Sequence, residues 1–152
     1  DLRGERVNYA SLEFIALTVL LFIGRRFYLG KAALGQEDLA TKLDAPPRLL
    51  RTILSELTRL GFVVSTEQGN DNVGYQPAQA LENIKLYDVV HGLAVDGTDY
   101  SHLRNTSERG VVAEVAGTLQ KAEEQALAGM TLRDLVLQVE SSEGQDVDEA
   151  AE

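Results

Sequence analysis

The stretch that decides the fold runs from Gln36 to Pro77 and reads QEDLATKLDAPPRLLRTILSELTRLGFVVSTEQGNDNVGYQP. Its first part predicts two helices, one at 36–43 and one starting near Pro47, separated by a tight turn. Proline suits the first turn of a helix, because the N–H that it lacks would have no partner there. In the second helix the apolar residues recur at helical spacing and form one stripe: Leu50, Ile53, Leu54, Leu57 and Leu60.

The second half of the stretch predicts a β-hairpin. Gly61 stands where a left-handed helix end is expected, and residues 62–65 read as a strand. Residues 67–74 form a polar loop, and residues 75–77 form the returning strand. Helix, turn, helix and hairpin in this order predict a winged helix-turn-helix. The fold class is therefore α+β and mostly α, with a two-stranded wing and additional C-terminal helices.

The flanking segments complete one domain. Residues 1–8 are predicted to be a linker, and residues 9–139 the winged-helix domain with its helical extension. Residues 140–152 carry six acids and no base, and this acidic tail is predicted to be disordered. Further helices are predicted at 9–29, 84–93, 111–127 and 131–139, with a loop at 96–109.

The first predicted helix has an unusually apolar centre. From Phe14 to Ile23 only Thr18 is polar, and these ten residues span roughly 15 Å, about half of a bilayer core. A helix that is apolar on all sides must be buried on all sides, so we expect core packing plus cover by a partner. The cations at its end, Arg25, Arg26 and Lys31, suit the helix dipole; the alternative is contact with a membrane surface or a partner.

The polar face of the second helix of the stretch is the candidate nucleic-acid contact. Its members share one side of the helix: Arg48, Arg51, Thr52, Ser55 and Arg59. In a DNA-binding winged helix this face would lie in the major groove, and the alternative is a solvated outer face. The hairpin loop favours the alternative, because it contains Glu67 and Asp71 and no base to contact phosphate.

The charge distribution points the same way. The net charge is −10, divided into +1 over residues 1–68 (nine bases, eight acids) and −11 over residues 69–152 (five bases, sixteen acids). An acidic protein repels polyphosphate at long range, so nucleic acid is not expected as a partner at physiological salt.

No residue pattern predicts catalysis or a cofactor. The chain has no cysteine, which excludes disulfides and thiolate-ligated zinc or iron–sulfur clusters. The two histidines, His91 and His102, stand near Asp88 and Asp99, but their spacing fits no metal-ligand pattern, so surface or capping roles are favoured. We therefore expect a non-enzymatic protein without a metal or an identifiable small-molecule ligand.

The predicted helix at 111–127 carries a narrow stripe of small apolar residues. Its members are Val112, Val115, Ala116, Leu119, Ala122 and Ala126, of which the first four are the candidate dimer contact. This stripe would pack either in the core or against a second copy of the chain, since small side chains permit close helix contact. Together with the apolar first helix, it predicts a homodimer.

Two families resemble this chain. The winged-helix order, Tyr75-Gln76-Pro77-Ala78, the segment Ile84–Val89 and the segment Thr131–Val136 resemble the repressor family typified by the iron–sulfur regulator IscR. That resemblance implies a DNA-binding transcription regulator. The family's cluster cysteines after the fourth helix are missing here, and Val73-Gly74-Tyr75 keeps half of its Gly-Gly-Tyr wing motif.

The second resemblance, over residues 2–90, is to the cytoplasmic C-terminal extension of BrkB/YihY inner-membrane proteins, formerly labelled ribonuclease BN. It rests on Leu2-Arg3-Gly4-Glu5, Val7-Asn8, Leu39-Ala40, Leu43, Pro47-Arg48-Leu49, Ile53-Leu54, Leu57, Gly61 and Tyr75-Gln76-Pro77-Ala78. It implies a membrane domain before Asp1 and a place on the cytoplasmic face of the inner membrane. We take as the main interpretation a non-enzymatic regulatory or interaction module of such a protein, with the DNA-binding regulator as the alternative.

Overall fold

The computed structural model describes residues 9–69, 72–95 and 102–151. Its elements, in chain order, are α1 (Tyr9–Tyr28), α2 (Gln36–Leu43), α3 (Pro47–Arg59), β1 (Val63–Glu67), β2 (Val73–Pro77), a 3-10 turn (Leu81–Asn83), α4 (Leu86–Val95), α5 (Ser107–Leu127) and α6 (Leu132–Ala151). The helix-turn-helix and its hairpin wing are thereby confirmed, and so is the mostly helical fold class.

A left-handed residue makes the turn between α2 and α3. Asp44 has φ 50°, and its N–H donates to the carbonyls of Ala40 and Thr41, which ends α2. Pro46 then precedes α3, and Pro47 occupies the first helical position, where no N–H is needed. The turn is short because one left-handed residue reverses the chain direction, so α3 packs directly against α2.

The wing is an antiparallel hairpin supported at its base. Val63 lies opposite Pro77, and Glu67 lies opposite Val73. The N–H of Tyr75 donates to the carbonyl of Leu34 at 3.0 Å. Leu34, in the segment before α2, thereby forms an isolated antiparallel β-bridge with β2. The hairpin is therefore attached to the helix-turn-helix from both sides.

One hydrophobic core joins the winged helix to the flanking helices. The apolar stripe of α3, Leu50, Ile53, Leu54 and Leu57, is fully buried, as the sequence predicts. It belongs to one cluster with Val19, Leu20 and Ile23 of α1, Val89 of α4, and Leu132 and Val136 of α6. α1 is the central support, since it packs against α3, α4, α6 and β2.

Burial of α1 on all sides is not what the single chain shows. Ala16, Val19, Leu20 and Ile23 are buried, but Phe14 is 73% exposed. The domain has too few helices to surround α1, because α3, β2, α4 and α6 cover only part of its circumference. Phe14 is therefore available to a partner, and cover of α1 by a partner stays a prediction.

α5 begins four residues before the predicted start. Thr106 caps it, and the Thr106 hydroxyl accepts a hydrogen bond from the N–H of Arg109 at 3.1 Å. This local cap outweighs the glycine and polar residues that indicated a loop up to residue 109. The rest of that predicted loop, residues 96–101, and the predicted linker at 1–8 lie outside the described residues.

The segment expected to be a disordered tail is helical, because α6 continues to Ala151. Extending an existing helix avoids the unfavourable nucleation step, and the buried stripe at Leu132 and Val136 supplies the start. The Nε of Arg25 on α1 also donates to Glu140 at 2.6 Å, and its Nη2 donates to Glu143. These bonds, that to Glu140 first, raise the pKa of Arg25, so its charge persists across the working pH range.

The packing of the wing base gives a stability prediction. A Cβ added at Gly74 would lie 2.8 Å from the Cβ of Ala33 and 3.1 Å from its carbonyl, so backbone would have to move. We expect Gly74→Ala to lower the free energy of unfolding by about 1–3 kcal/mol. Gly117→Ala, in open space on α5, is the control and should raise it by about 0.5–1 kcal/mol. Urea denaturation at one protein concentration measures both; equal stability of Gly74→Ala and the natural chain would contradict this packing.

Candidate nucleic-acid interface

The polar face of α3 is fully on the surface. Arg48, Arg51, Thr52, Ser55 and Arg59 are all exposed, while the opposite side of the same helix is buried in the core. This arrangement follows from the spacing, since the leucine stripe can be buried only if the arginine face points away from α1. The structure therefore places the five predicted residues on one outer face.

The start of α3 is held by a side chain of α2. The Nε2 of Gln36 donates to the carbonyl of Pro47 at 3.1 Å, which joins the first turns of the two helices. Further along α3, the hydroxyl of Thr52 donates to the carbonyl of Arg48 at 3.2 Å, one turn earlier. Thr52 therefore satisfies its hydroxyl within the helix, whereas Arg48 has its guanidinium in solvent.

A cleft between α3 and the wing brings part of this face together with residues of other elements. It has a volume of about 390 Å³ and is lined by Gln36, Arg51, Ser55, Thr58, Arg59, Ser65 and Tyr75. A second cleft, of about 920 Å³, lies between Arg51 and the wing tip at Gln68 and Asn72, with Glu37 and Asp38 on its far side. Arg51 lines both clefts and so occupies the centre of the surface; Arg48 and Thr52 line neither.

The three arginines of α3 differ in their surroundings. The guanidinium of Arg59 lies 3.1 Å from the carboxylate of Glu56, one turn earlier, so much of its charge is balanced within the helix. An exposed pair of this kind contributes little to stability, and a phosphate could compete for the guanidinium. Arg48 and Arg51 have no ion pair with any described residue, and they are the cations most available to a ligand.

Hydrogen bonds join the described residues on either side of the wing tip, and the wing sequence lacks positive charge. The N–H of Gln68 donates to the carbonyl of Asn72 at 2.8 Å, and the Nε2 of Gln68 donates to the hydroxyl of Thr66 at 2.6 Å. No Lys or Arg occurs anywhere in the hairpin sequence, so it offers amides and hydroxyls rather than charges. Asn70 and Asp71, at the tip, lie outside the described residues.

Four residues of the cleft do not figure in the sequence prediction: Gln36, Thr58, Ser65 and Tyr75. Ser65 lies opposite Tyr75 in the hairpin, and both share a sheet face with the buried pair Val63 and Pro77. The sequence does indicate Ser65 and Tyr75. Side chains alternate between the two faces of a strand, so residues two positions from Val63 and Pro77 lie on the same face as that buried pair. Nothing in the sequence marks Gln36 in the same way.

Two of the three cations at the basic end of α1 have partners within the chain. Arg25 bonds Glu140 and Glu143 of α6, and the guanidinium of Arg26 donates to the carbonyl of Ala32 at 2.7 and 2.9 Å. Lys31 is exposed. Two of the three cations thus have partners within the chain, which supports the capping interpretation over contact with a membrane surface.

The stripe on α5 is exposed. Val112 is 65%, Val115 55% and Leu119 61% exposed, Ala116 is exposed, and Val111 beside them is 62% exposed. α5 has no buried residue at all in the described part of the chain. Packing of this stripe in the core is therefore wrong for the single chain, and the contact with a second copy stays a prediction.

The histidines do not form a metal site with the described residues. The ring of His91 stacks on Tyr87, with centroids 5.5 Å apart and planes inclined by 15°, and His102 is exposed. Over 9–69, 72–95 and 102–151, no group of three or more His, Asp or Glu residues could hold a metal ion. Asp99 lies outside these ranges.

A helix-turn-helix followed by a hairpin wing, with an exposed arginine face on its second helix, defines the winged-helix class of fold. The Rrf2 family model, described as an iron-dependent transcriptional regulator, matches residues 13–138. The chain belongs to the Rrf2 family.

Solved structures agree with this fold. The chain is similar to an IscR from T. potens, with 20% identity, a TM-score of 0.65, and 87% of this chain and 88% of that chain covered. It is also similar to CymR (YrzC), the global cysteine regulator of B. subtilis, with 18% identity, a TM-score of 0.59, and 83% and 93% covered. A putative DNA-binding protein matches at 20% identity and a TM-score of 0.60, over 82% and 98%. No curated protein sequence matches significantly.

The family match overturns the main interpretation from sequence. The IscR-type resemblance is confirmed at the level of the family, and the BrkB/YihY resemblance is wrong. The membrane module, the upstream membrane partner and the place on the inner membrane fall with it. The expectation that nucleic acid is an unlikely partner rested on charge, and a family of transcriptional regulators argues against it. None of the described helices is long and apolar enough to cross a membrane. The family consists of transcriptional regulators, which agrees with a non-enzymatic protein.

The misleading signal was short local similarity. The residues shared with BrkB/YihY, such as Leu39-Ala40, Ile53-Leu54 and Gly61, are core and turn positions that any winged helix needs. Such positions report the winged-helix fold rather than a particular family.

The family's description as iron-dependent does not fit the donors of this chain in one respect. An iron–sulfur cluster is held by cysteine thiolates, and the sequence contains none. Of the two histidines, His91 stacks on Tyr87 and His102 is exposed. Among the described residues, neither belongs to a group of three or more potential metal ligands. A cysteine-ligated cluster therefore cannot be the effector of this member.

Proposed function

We propose that this protein is a dimeric DNA-binding transcriptional regulator that reads DNA with α3. The observation that carries the proposal is the position of Arg51, exposed at the centre of the surface between α3 and the wing. Arginine forms paired hydrogen bonds with the O6 and N7 atoms of guanine in the major groove, which is wide enough for one helix. Arg48 extends the same face toward the start of α3.

The net charge of −10 does not by itself exclude this function, because most of the excess of acids lies away from α3. Residues 1–68, which contain α1, α2, α3 and β1, carry a balance of +1, and the excess of acids lies in residues 69–152. At physiological salt, charges more than about 8 Å beyond the contact are largely screened. Local chemistry on α3 therefore decides the contact.

A wing without bases gives this regulator an unusual balance of forces. With two or three arginines on each α3, a dimer would contact at most about four to six phosphates through this face, so the salt dependence should be weaker than that of a regulator with many phosphate contacts. The hairpin amides and hydroxyls, with Ser65 and Tyr75, would add neutral hydrogen bonds. We therefore infer that specific contacts supply a larger share of the affinity than the general attraction to phosphate.

The dimer would form through α5. Its stripe of Val112, Val115, Ala116 and Leu119 is apolar, exposed and close to the length of two heptads when Val111 and Ala126 are added. A second copy of the same helix, related by a two-fold axis, would bury it against itself. Two α3 helices on opposite sides of such an axis could read two half-sites of one duplex.

Selection from a library of randomised duplexes tests this function. The protein should enrich an inverted repeat whose half-sites are about one helical turn, or 10–10.5 base pairs, apart or a multiple of that. Fluorescence anisotropy on the enriched duplex, at several salt concentrations, then gives the affinity and its salt slope. Failure to enrich any sequence above the starting library, by a folded protein, would contradict the proposal.

A further inference from the structure

A cavity away from the α3 face lies between the second half of α1 and α6. Its volume is about 300 Å³, at the lower end of the range of about 300–1,000 Å³ that is usual for small-molecule sites. Its apolar wall consists of Leu21, Phe22 and Leu29 from α1 and the turn after it, and Val139 from α6. An apolar chain could replace water on this wall.

One side of this cavity is positively charged. Lys31 and Lys42 reach it, and they are two of only four lysines in the sequence. Neither ammonium group forms a hydrogen bond or an ion pair with a described residue, and both residues are exposed. Two unpaired ammonium groups beside one apolar wall offer a place for an anion.

The two arginines of the cavity differ in their partners. Arg25 is bound to Glu140 and Glu143, of which Glu143 also lines the cavity, and the guanidinium of Arg26 is bound to the Ala32 carbonyl. Arg26 keeps its positive charge, because a carbonyl oxygen does not neutralise it. The unbalanced charge at the cavity is therefore positive and lies on Arg26, Lys31 and Lys42.

We propose that this cavity binds a small amphipathic anion: an unbranched acyl chain against Leu21, Phe22 and Val139, and its carboxylate between Lys31 and Lys42. Lysine suits this role, since a flexible ammonium group can follow a carboxylate at the rim of a cavity. A neutral chain would leave the ammonium groups unpaired, and a polar anion without a chain would leave the wall wet. Both parts of the ligand are needed.

Decanoate and decanol are the probes, because they share the ten-carbon chain and differ in charge. Titration of the isotope-labelled full chain at neutral pH, followed by amide chemical shifts, should show saturable decanoate binding with a dissociation constant between about 10 μM and 1 mM. The shifts should centre on Leu21, Phe22 and Val139. Decanol should bind at least about tenfold more weakly, since it offers no charge to the lysines.

The lysines provide a matched pair of variants. Lys31→Gln combined with Lys42→Gln should weaken decanoate binding at least about tenfold, whereas Lys85→Gln combined with Lys121→Gln should leave it unchanged. Both double variants remove two positive charges, and all four lysines are exposed, so folding should persist in each. Well-dispersed amide spectra verify this before titration.

Several results would overturn the site. These are the absence of saturation up to about 1 mM, equal binding of decanol, an equal loss in the Lys85 and Lys121 variant, or shifts centred on the exposed stripe of α5. Binding to vesicles of phosphatidylcholine and phosphatidylglycerol, without saturable decanoate binding, would instead assign the cations to a lipid surface. None of these measurements involves DNA, so the outcome is independent of the proposed function.

Discussion

Replacing both Arg48 and Arg51 with alanine is expected to lower the affinity for the selected duplex at least about 100-fold at ~0.15 M salt. Each arginine that pairs with a guanine edge contributes about 1–3 kcal/mol of discrimination, and about 1.4 kcal/mol corresponds to a factor of ten. Two arginines per protomer, used twice in a dimer, therefore give a large loss. Both side chains are exposed and have no ion pair with a described residue, so the fold should not suffer.

A charge-matched variant separates local contact from net charge. Arg104→Ala combined with Arg133→Ala removes the same two charges from exposed positions, ahead of α5 and in the first turn of α6. Its affinity should fall less than about threefold, because these elements do not carry the DNA-facing surface. Fluorescence anisotropy on one duplex compares the three proteins. An equal loss in the two double variants would mean that general electrostatics, rather than α3, holds the DNA.

The second large effect is expected at the dimer contact. Val112→Glu combined with Leu119→Glu should convert the protein from a dimer into a monomer of 16.6 kDa. Four carboxylates would meet in the interface, and burying unpaired charges costs several kcal/mol each. Sedimentation equilibrium at micromolar concentration measures the mass. DNA affinity should fall with the dimer, since a monomer can occupy only one half-site.

The opposite side of α5 supplies the control for this experiment. Thr118→Glu combined with Gln125→Glu adds the same two charges at the same spacing of seven residues, on exposed positions away from the stripe. This variant should remain dimeric. A monomeric natural chain would contradict the dimer, and dissociation of the control together with the stripe variant would show that added charge alone separates the copies. A stripe variant that stays dimeric would show that the copies meet elsewhere, and Phe14 of α1 would then be the next surface to alter.

The net charge of a chain is a poor guide to DNA binding when the excess charge lies away from the DNA contact. The total of −10 and the acidic residues of the wing argued against nucleic acid, and the family match argues for it. The physical reason is screening: an acid on α5 or α6 acts weakly on a phosphate held at α3, whereas Arg48 and Arg51 act directly. The charge of the surface around α3 is therefore the quantity that matters for DNA binding.

The sequence by itself determined the winged helix. Leu50, Ile53, Leu54 and Leu57 form a stripe by spacing alone, the prolines place the start of α3, and Gly61 precedes the hairpin; all of these are short-range signals. The same spacing puts Arg48, Arg51 and Arg59 on the outer face. Local periodicity decides which side of a helix is buried, and so the predicted face and the observed face agree.

Only the tertiary structure decided what the flanking helices do. By its composition, the stripe on α5 could have packed in the core or at an interface. Its exposure follows from the position of α5, which packs against α4. The length of α6 depends on Arg25 of α1, more than a hundred residues earlier, which bonds Glu140 and Glu143. The cleft beside Arg51 and the cavity beside Lys31 each combine residues from several elements. Such contacts between distant parts of the chain leave no periodic signal, because they arise only when the packed elements meet.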